Sequence, residues 1–90
     1  MPNPIQQVEF DQNSVTWTQI LTSSNLEMVA HSGNTMHVVF SDRKFVYHYA
    51  PVSAKKFEEF MNAESRGSWI HANLRNNAKI AVAKSVFIDI

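Results

Sequence analysis

Asn25 to Pro51 reads NLEMVAHSGNTMHVVFSDRKFVYHYAP, and its alternation decides the fold. Apolar residues recur at alternate positions around two turn signals, Ser32-Gly33-Asn34 and Asp42-Arg43, which is the pattern of three short antiparallel strands. A two-residue turn at Asp42-Arg43 pairs Phe40 with Phe45, Val38 with Tyr47 and His37 with His48. A three-residue loop at Ser32-Gly33-Asn34 pairs Ala30 with Met36 and Met28 with Val38. Side chains alternate between faces, so one face collects Leu26, Met28, Ala30, Met36, Val38, Phe40, Phe45, Tyr47 and Tyr49. That is a core face. The other holds Glu27, Val29, His31, Thr35, His37, Val39, Lys44, Val46 and His48. Interleaved valine and histidine suit a covered face, with the C-terminal strand, the N-terminal arm or a second subunit as the cover.

Downstream, Pro51 ends the third strand because it has no N–H to give a ladder. Ser53 then caps a helix whose Phe57, Phe60 and Met61 form an i, i+3, i+4 stripe opposite Lys55, Lys56, Glu58 and Glu59. The stripe is expected to lie on the core face of the sheet. At the far end Val86, Ile88 and Ile90 alternate with Ser85, Phe87 and Asp89. This predicts a last strand within residues 80–90, paired with the sheet or with a neighbouring subunit. Upstream, Val15 to Leu21 carries an imperfect strand pattern. Residues 1–14 are polar and proline-punctuated, anchored by Ile5, Val8 and Phe10, and read as a docking arm. The expected architecture is α+β in a single domain, 1–90. It has a small antiparallel sheet of three to five strands, with one main helix and a short second helix packed on one face.

Ninety residues allow one modest core. Eight basic residues balance eight acidic ones, and the pI of about 6.9 lacks the basic surplus expected of a duplex-DNA wrapper. No cysteine is present, which excludes disulfides, thiolate metal sites and cysteine nucleophiles. No apolar run has the length of a membrane span, and the first ten residues lack signal-peptide features. A cytoplasmic protein without membrane contact is expected, and its ten aromatic residues suggest apolar surface buried in a homo-oligomer.

The remaining stretch, Ser65-Arg66-Gly67-Ser68 followed by Trp69 to Arg75, carries the chemistry. Gly67 at positive φ would end the first helix and Ser68 would cap the second. Ile70 and Leu74 would point inward, with His71 and Arg75 four apart on the neighbouring face. Free N–H groups, two hydroxyls and a guanidinium are the parts of an anion site. The plainer alternative is a turn and a cap, with Arg75 neutralising Glu64.

Residues from about Ser23 to Arg75 resemble the KTSC domain. This small module is found at the C-terminus of some lysyl-tRNA synthetases and alone in bacteria and phages. The resemblance rests on SSNL at Ser23–Leu26, VVF at Val38–Phe40, YHYAPV at Tyr47–Val52 and, above all, SRGSWIHANLR at Ser65–Arg75. It implies a fold and a surface rather than a reaction. Ser65, Gly67, Ser68 and Arg75 match its polar pattern, alongside Ser24 and Tyr47. The expected function is therefore non-enzymatic binding of a phosphate-bearing small ligand, with Trp69 or Tyr47 stacking on a base and His71 beside the phosphate. A phage-type form would act in the host cytoplasm as an anti-defence sponge for a cyclic or other nucleotide messenger. The alternatives are an RNA- or nucleic-acid-binding accessory, suggested by the synthetase fusion, and a protein–protein adaptor.

No cofactor or catalytic residue is expected, because Ser65 and Ser68 near His71 have no acidic orienter in phase. His31, His37 and His48 share the far face, but no carboxylate or thiolate completes a metal set, so no metal site is expected. Trp17 and Trp69 are candidates for stacking on bases, with core filling as the rival role.

Overall fold

The fold is that of a computed structural model, which describes residues 5–89. The elements run β1 (Gln6–Gln7), β2 (Thr18–Gln19), β3 (Leu26–Ser32), β4 (Thr35–Phe40), β5 (Phe45–Ala50), α1 (Ala54–Met61), α2 (Arg66–Ile70) and β6 (Ala81–Val86). A π-helical turn, His71–Arg75, continues α2. All strands join one sheet in the order β1-β6-β5-β4-β3-β2. Every pairing is antiparallel except β1 with β6, which is parallel. The class is α+β as expected, but a six-stranded mixed sheet replaces the expected antiparallel sheet of three to five strands. Both edges come from the chain before β3: Gln6 and Gln7 of the arm extend one, while Thr18 and Gln19, inside the Val15–Leu21 pattern, pair with Val29 and Met28 at the other. The two-residue strand of the arm carries too little alternation to be seen in a sequence. Residues 1–4 of the arm and Ile90 lie outside the described residues.

The β4–β5 register is the expected one, with Val38 opposite Tyr47 and His37 opposite His48. The β3–β4 register is not. Gly33 takes φ 57°, the connection is the two-residue Gly33-Asn34, and Ser32 pairs with Thr35. That one-residue difference exchanges the faces of β3. Val29 and His31 turn toward the helices, while Met28 packs against the far-face cluster. A bulge between Leu26 and Met28 then returns Leu26 to the helix side.

The helix-side core joins Leu26, Val29, Met36, Val38 and Tyr49 to Val52, Phe60, Ile70 and Leu74. Phe60 is fully buried, with Phe57 and Met61 packed beside it, as the stripe predicts. Burial of such a side chain stabilises by about 1.5–3 kcal/mol. Ser53 caps α1, its Oγ accepting from Lys56 N at 3.1 Å.

On the other face Val39, Val46 and Phe87 gather Phe10, Trp17 and Met28 around them. The arm is therefore docked on the chain's own sheet. Val8 N donates to Lys84 O, and the Gln12 side-chain amide both donates to Ile88 O at 2.6 Å and accepts from Ile88 N at 2.9 Å. Of the predicted last strand, Ser85 and Phe87 are the buried positions, whereas Val86 and Ile88 are exposed.

Candidate functional site

Past β2 the chain turns through Thr22–Asn25, where Ser23 Oγ accepts from Asn25 N at 3.1 Å and from Leu26 N at 3.2 Å. Asn25 O accepts from Ser41 N, tying this loop to the β4–β5 turn. Facing both is the segment Glu64–Arg75. Between the three lies a groove of about 910 Å³, within the roughly 300–1,000 Å³ range of small-molecule sites. The hydroxyls of Thr22, Ser23, Ser24, Ser41, Ser65 and Ser68 line it.

Of the residues singled out in the sequence, Ser24, Ser65, Gly67, Ser68, His71 and Arg75 all line this groove. Trp69 does not; it packs edge-on against Phe60 at 5.4 Å between ring centroids. Tyr47 lines an adjacent hollow instead. Trp17, the other stacking candidate, covers the far face and donates its indole N–H to Gln12 O.

The caps differ from the expected arrangement. Helix α1 has already ended at Met61, and Gly67 lies inside α2 without positive φ. Ser65 is the N-cap, accepting from Ser68 N at 3.4 Å and donating to Ser68 Oγ at 2.9 Å. Trp69 N is taken by Ser65 O. The helix start thus satisfies much of its own polarity, and cationic side chains are left as the main anion-attracting groups.

Those cations are distinctive. Arg43 pairs with Glu27 and Asp89 on the opposite side of its turn. Among the described residues Arg66 and Arg75 form no ion pair, and both line the groove. Arg66 is held by neutral groups, donating from Nη1 to Thr22 Oγ1 at 3.1 Å and from Nη2 to Met61 O at 2.6 Å. Its Nε is buried with no partner. The sequence reading passed over Arg66. No local pattern marks it, because Thr22 and Met61 reach it only in the folded chain. Arg75 is exposed at the end of the π turn, which is closed by Asn76 N donating to His71 O at 2.9 Å. Arg75 does not pair with Glu64. The carboxylates of Asp42 and Glu64 also line the groove and pair with neither arginine.

A second hollow of about 450 Å³ adjoins the first and shares Phe40, Asp42 and Arg75 with it. Its remaining wall is Ile5, Tyr47, Tyr49, Leu74, Ile80 and Val82. Burial pushes the Tyr49 hydroxyl above its ordinary pKa, against a smaller opposing pull from Arg75.

The three histidines do not share a face. His31 Nε2 lies 2.6 Å from Val52 O, and its ring stacks on Phe57. His37 and His48 are buried on the far side in a hydrogen-bonded chain with Ser32 and Ser85. Among the described residues no three His, Asp or Glu side chains converge as a metal site. No helix there is long and apolar enough to cross a membrane.

The family model of the KTSC domain matches residues 22–77, more than half of the chain. The match spans the Thr22–Asn25 loop, the hairpins, both helices and the π turn, and so includes every protein segment lining the groove. No curated protein matches the chain.

Proposed function

The chain belongs to the KTSC domain family, and from that premise we propose that the groove binds a small phosphate-bearing ligand without converting it. The observation that carries this reading is the distribution of arginines. One of the three is neutralised by carboxylates, while the other two, unpaired among the described residues, open on the same hydroxyl-lined groove. A guanidinium left uncompensated beside several hydroxyl donors matches the fork geometry and hydrogen-bond demand of a phosphate.

Asp42 and Glu64 limit the class of ligand. A groove carrying both signs repels a long polyanion along part of its length. It suits a molecule that is anionic at one end and rich in hydrogen-bond donors elsewhere, and the neutral overall charge agrees. This favours a small molecule over an RNA strand. Among the described residues His71 has no side-chain hydrogen bond to a carboxylate, and the Ser65 and Ser68 hydroxyls are engaged with each other. Retention, as by a carrier or a sequestering protein, is the role that follows.

Thermal unfolding with inorganic phosphate, pyrophosphate, ribose 5-phosphate and a short RNA tests the reading. A ligand at one hundred times its dissociation constant stabilises the native state by about 2.7 kcal/mol, which is readily seen. The small phosphates should raise the melting temperature, and Arg75→Ala should abolish the rise while leaving the unliganded melting temperature unchanged. No shift with any small phosphate, or an RNA shift that collapses steeply with salt as the sole response, would overturn it.

A further inference from the structure

We infer that the second hollow is a base subsite, and that the ligand of this protein is a ribonucleotide. The inference rests on the phosphate reading of the groove and adds to it the identity of the other half of the molecule. The two hollows adjoin, because Phe40, Asp42 and Arg75 line both. Their linings differ in kind. The first presents hydroxyls and guanidiniums, whereas the second is walled by the aromatic rings of Phe40, Tyr47 and Tyr49 with Leu74 and Val82. A ligand spanning them needs a phosphate at one end and a flat apolar ring at the other.

Tyr47 is the natural platform. It is only half-buried, and Phe40 meets it edge-on at 5.5 Å while Phe45 does so at 6.2 Å. Both neighbours brace the ring, so little rotamer freedom is lost when a base stacks there. Stacking on such a side chain tolerates any base, because each has a π face. Arg75 stands at the seam, placed to hold a phosphate entering from the hydroxyl-lined side.

The seam also holds one carboxylate. Asp42 Oδ1 accepts from Lys44 N at 3.2 Å, and among the described residues Oδ2 accepts no hydrogen bond. In a nucleotide the part between base and phosphate is the sugar, whose hydroxyls are donors that a carboxylate accepts well. Asp42 in this position selects ribose over deoxyribose and repels a second phosphate placed at the seam. The carboxylate that weakens the groove for a polyanion thereby becomes a specificity element for the sugar.

Calorimetric titration of the full chain distinguishes this from the simpler phosphate reading. The probes are the 5′-mono- and diphosphates and 3′,5′-cyclic monophosphates of the four ribonucleosides, their deoxy counterparts, and ribose 5-phosphate. At least one ribonucleotide should bind tenfold or more tighter than ribose 5-phosphate, and more tightly than its deoxy form. Tyr47→Leu should erase the margin over ribose 5-phosphate without changing ribose 5-phosphate binding. Tyr47→Phe should preserve it, which guards against a folding defect. Asp42→Asn should narrow the ribose-to-deoxyribose gap. If ribose 5-phosphate binds as tightly as every nucleotide, or Tyr47→Leu leaves the margin intact, the base subsite is wrong while the phosphate site stands. If no probe binds, both readings fall.

Discussion

His37 Nδ1 and His48 Nδ1 lie 2.7 Å apart across the β4–β5 ladder, so one imidazole donates to the other inside the protein. The chain continues at both ends, with Ser32 Oγ 2.9 Å from His37 Nε2 and His48 Nε2 2.9 Å from Ser85 Oγ. If His37 donates at Nδ1, its Nε2 accepts from Ser32 and His48 Nε2 donates to Ser85; the reverse assignment is equally complete. Two neutral rings therefore satisfy every nitrogen. Charging the pair is costly: burial first, then His48 and His31, hold His37 down at about 4, and burial lowers His48 as well. The unfolded chain takes up protons first as pH falls. Stability is thus full above the ordinary histidine value of 6.5 and drains as pH drops toward 4. For His37 alone the loss between pH 7 and pH 5 is roughly 2 kcal/mol, at about 1.36 kcal/mol per pH unit over most of the range. Urea unfolding at pH 7, 6 and 5 measures it, and a flat profile contradicts the neutral pair.

Phe10 shields that pair, its ring centroid 4.6 Å from both imidazoles. Phe10→Ala removes the lid and leaves the backbone pairing of the arm in place. The His37 midpoint, followed by the NMR shift of its ring carbon proton, should climb from about 4 toward 6.5. Stability at pH 7 should fall by about 2 kcal/mol, less than for a fully buried phenylalanine because Phe10 is half-buried. An unchanged midpoint would show that the sheet itself, rather than the arm, dries the site.

How far the sequence reaches is clear from particular residues. The Phe57, Phe60, Met61 stripe and the His37–His48 pairing were legible because each rests on a repeating period several residues long. The face of β3 was not, because it turned on whether Gly33 closes a two- or a three-residue loop, and one glycine permits either. A two-residue ladder hid β1, which is selected by tertiary contact with β6, whereas β2 falls within the imperfect alternation of Val15–Leu21. At the groove, Arg75, Ser65 and Ser68 could be named from local pattern, and Ser24 from the family resemblance. Arg66 could not, since its partners Thr22 and Met61 come together only in the folded chain. The sequence leaves Trp69 between two roles for a related reason: stacking on a base and packing on Phe60, which the structure shows, require the same ring.

The capping arrangement at the groove makes a paired prediction. Ser65 caps α2 and Ser68 sits in its first turn. Ser65→Ala should cost about 1 kcal/mol of stability, the ordinary loss for a serine N-cap. Ser68→Ala should stay within about 0.5 kcal/mol, as surface substitutions usually do. Chemical unfolding of the two variants side by side decides it. Equal losses, or a larger loss at Ser68, would restore the sequence-based assignment of the cap.

Arg66 offers a sharper separation of stability from binding. Its two Nη atoms bond Thr22 and Met61, and among the described residues its buried Nε has no partner. Arg66→Met keeps the length of the stem and deletes the unsatisfied Nε, so the gain from removing a buried unpaired donor offsets part of the lost hydrogen bonds. A net cost near 1 kcal/mol follows. Arg66→Ala loses the packing as well and should cost about 2 kcal/mol or more. Both variants remove a guanidinium from the groove, so both should weaken phosphate binding by a similar factor despite their different stabilities. The comparison needs only unfolding curves and a phosphate titration for each. Binding that tracked stability from wild type through Met to Ala would show that Arg66 serves the fold and not the ligand.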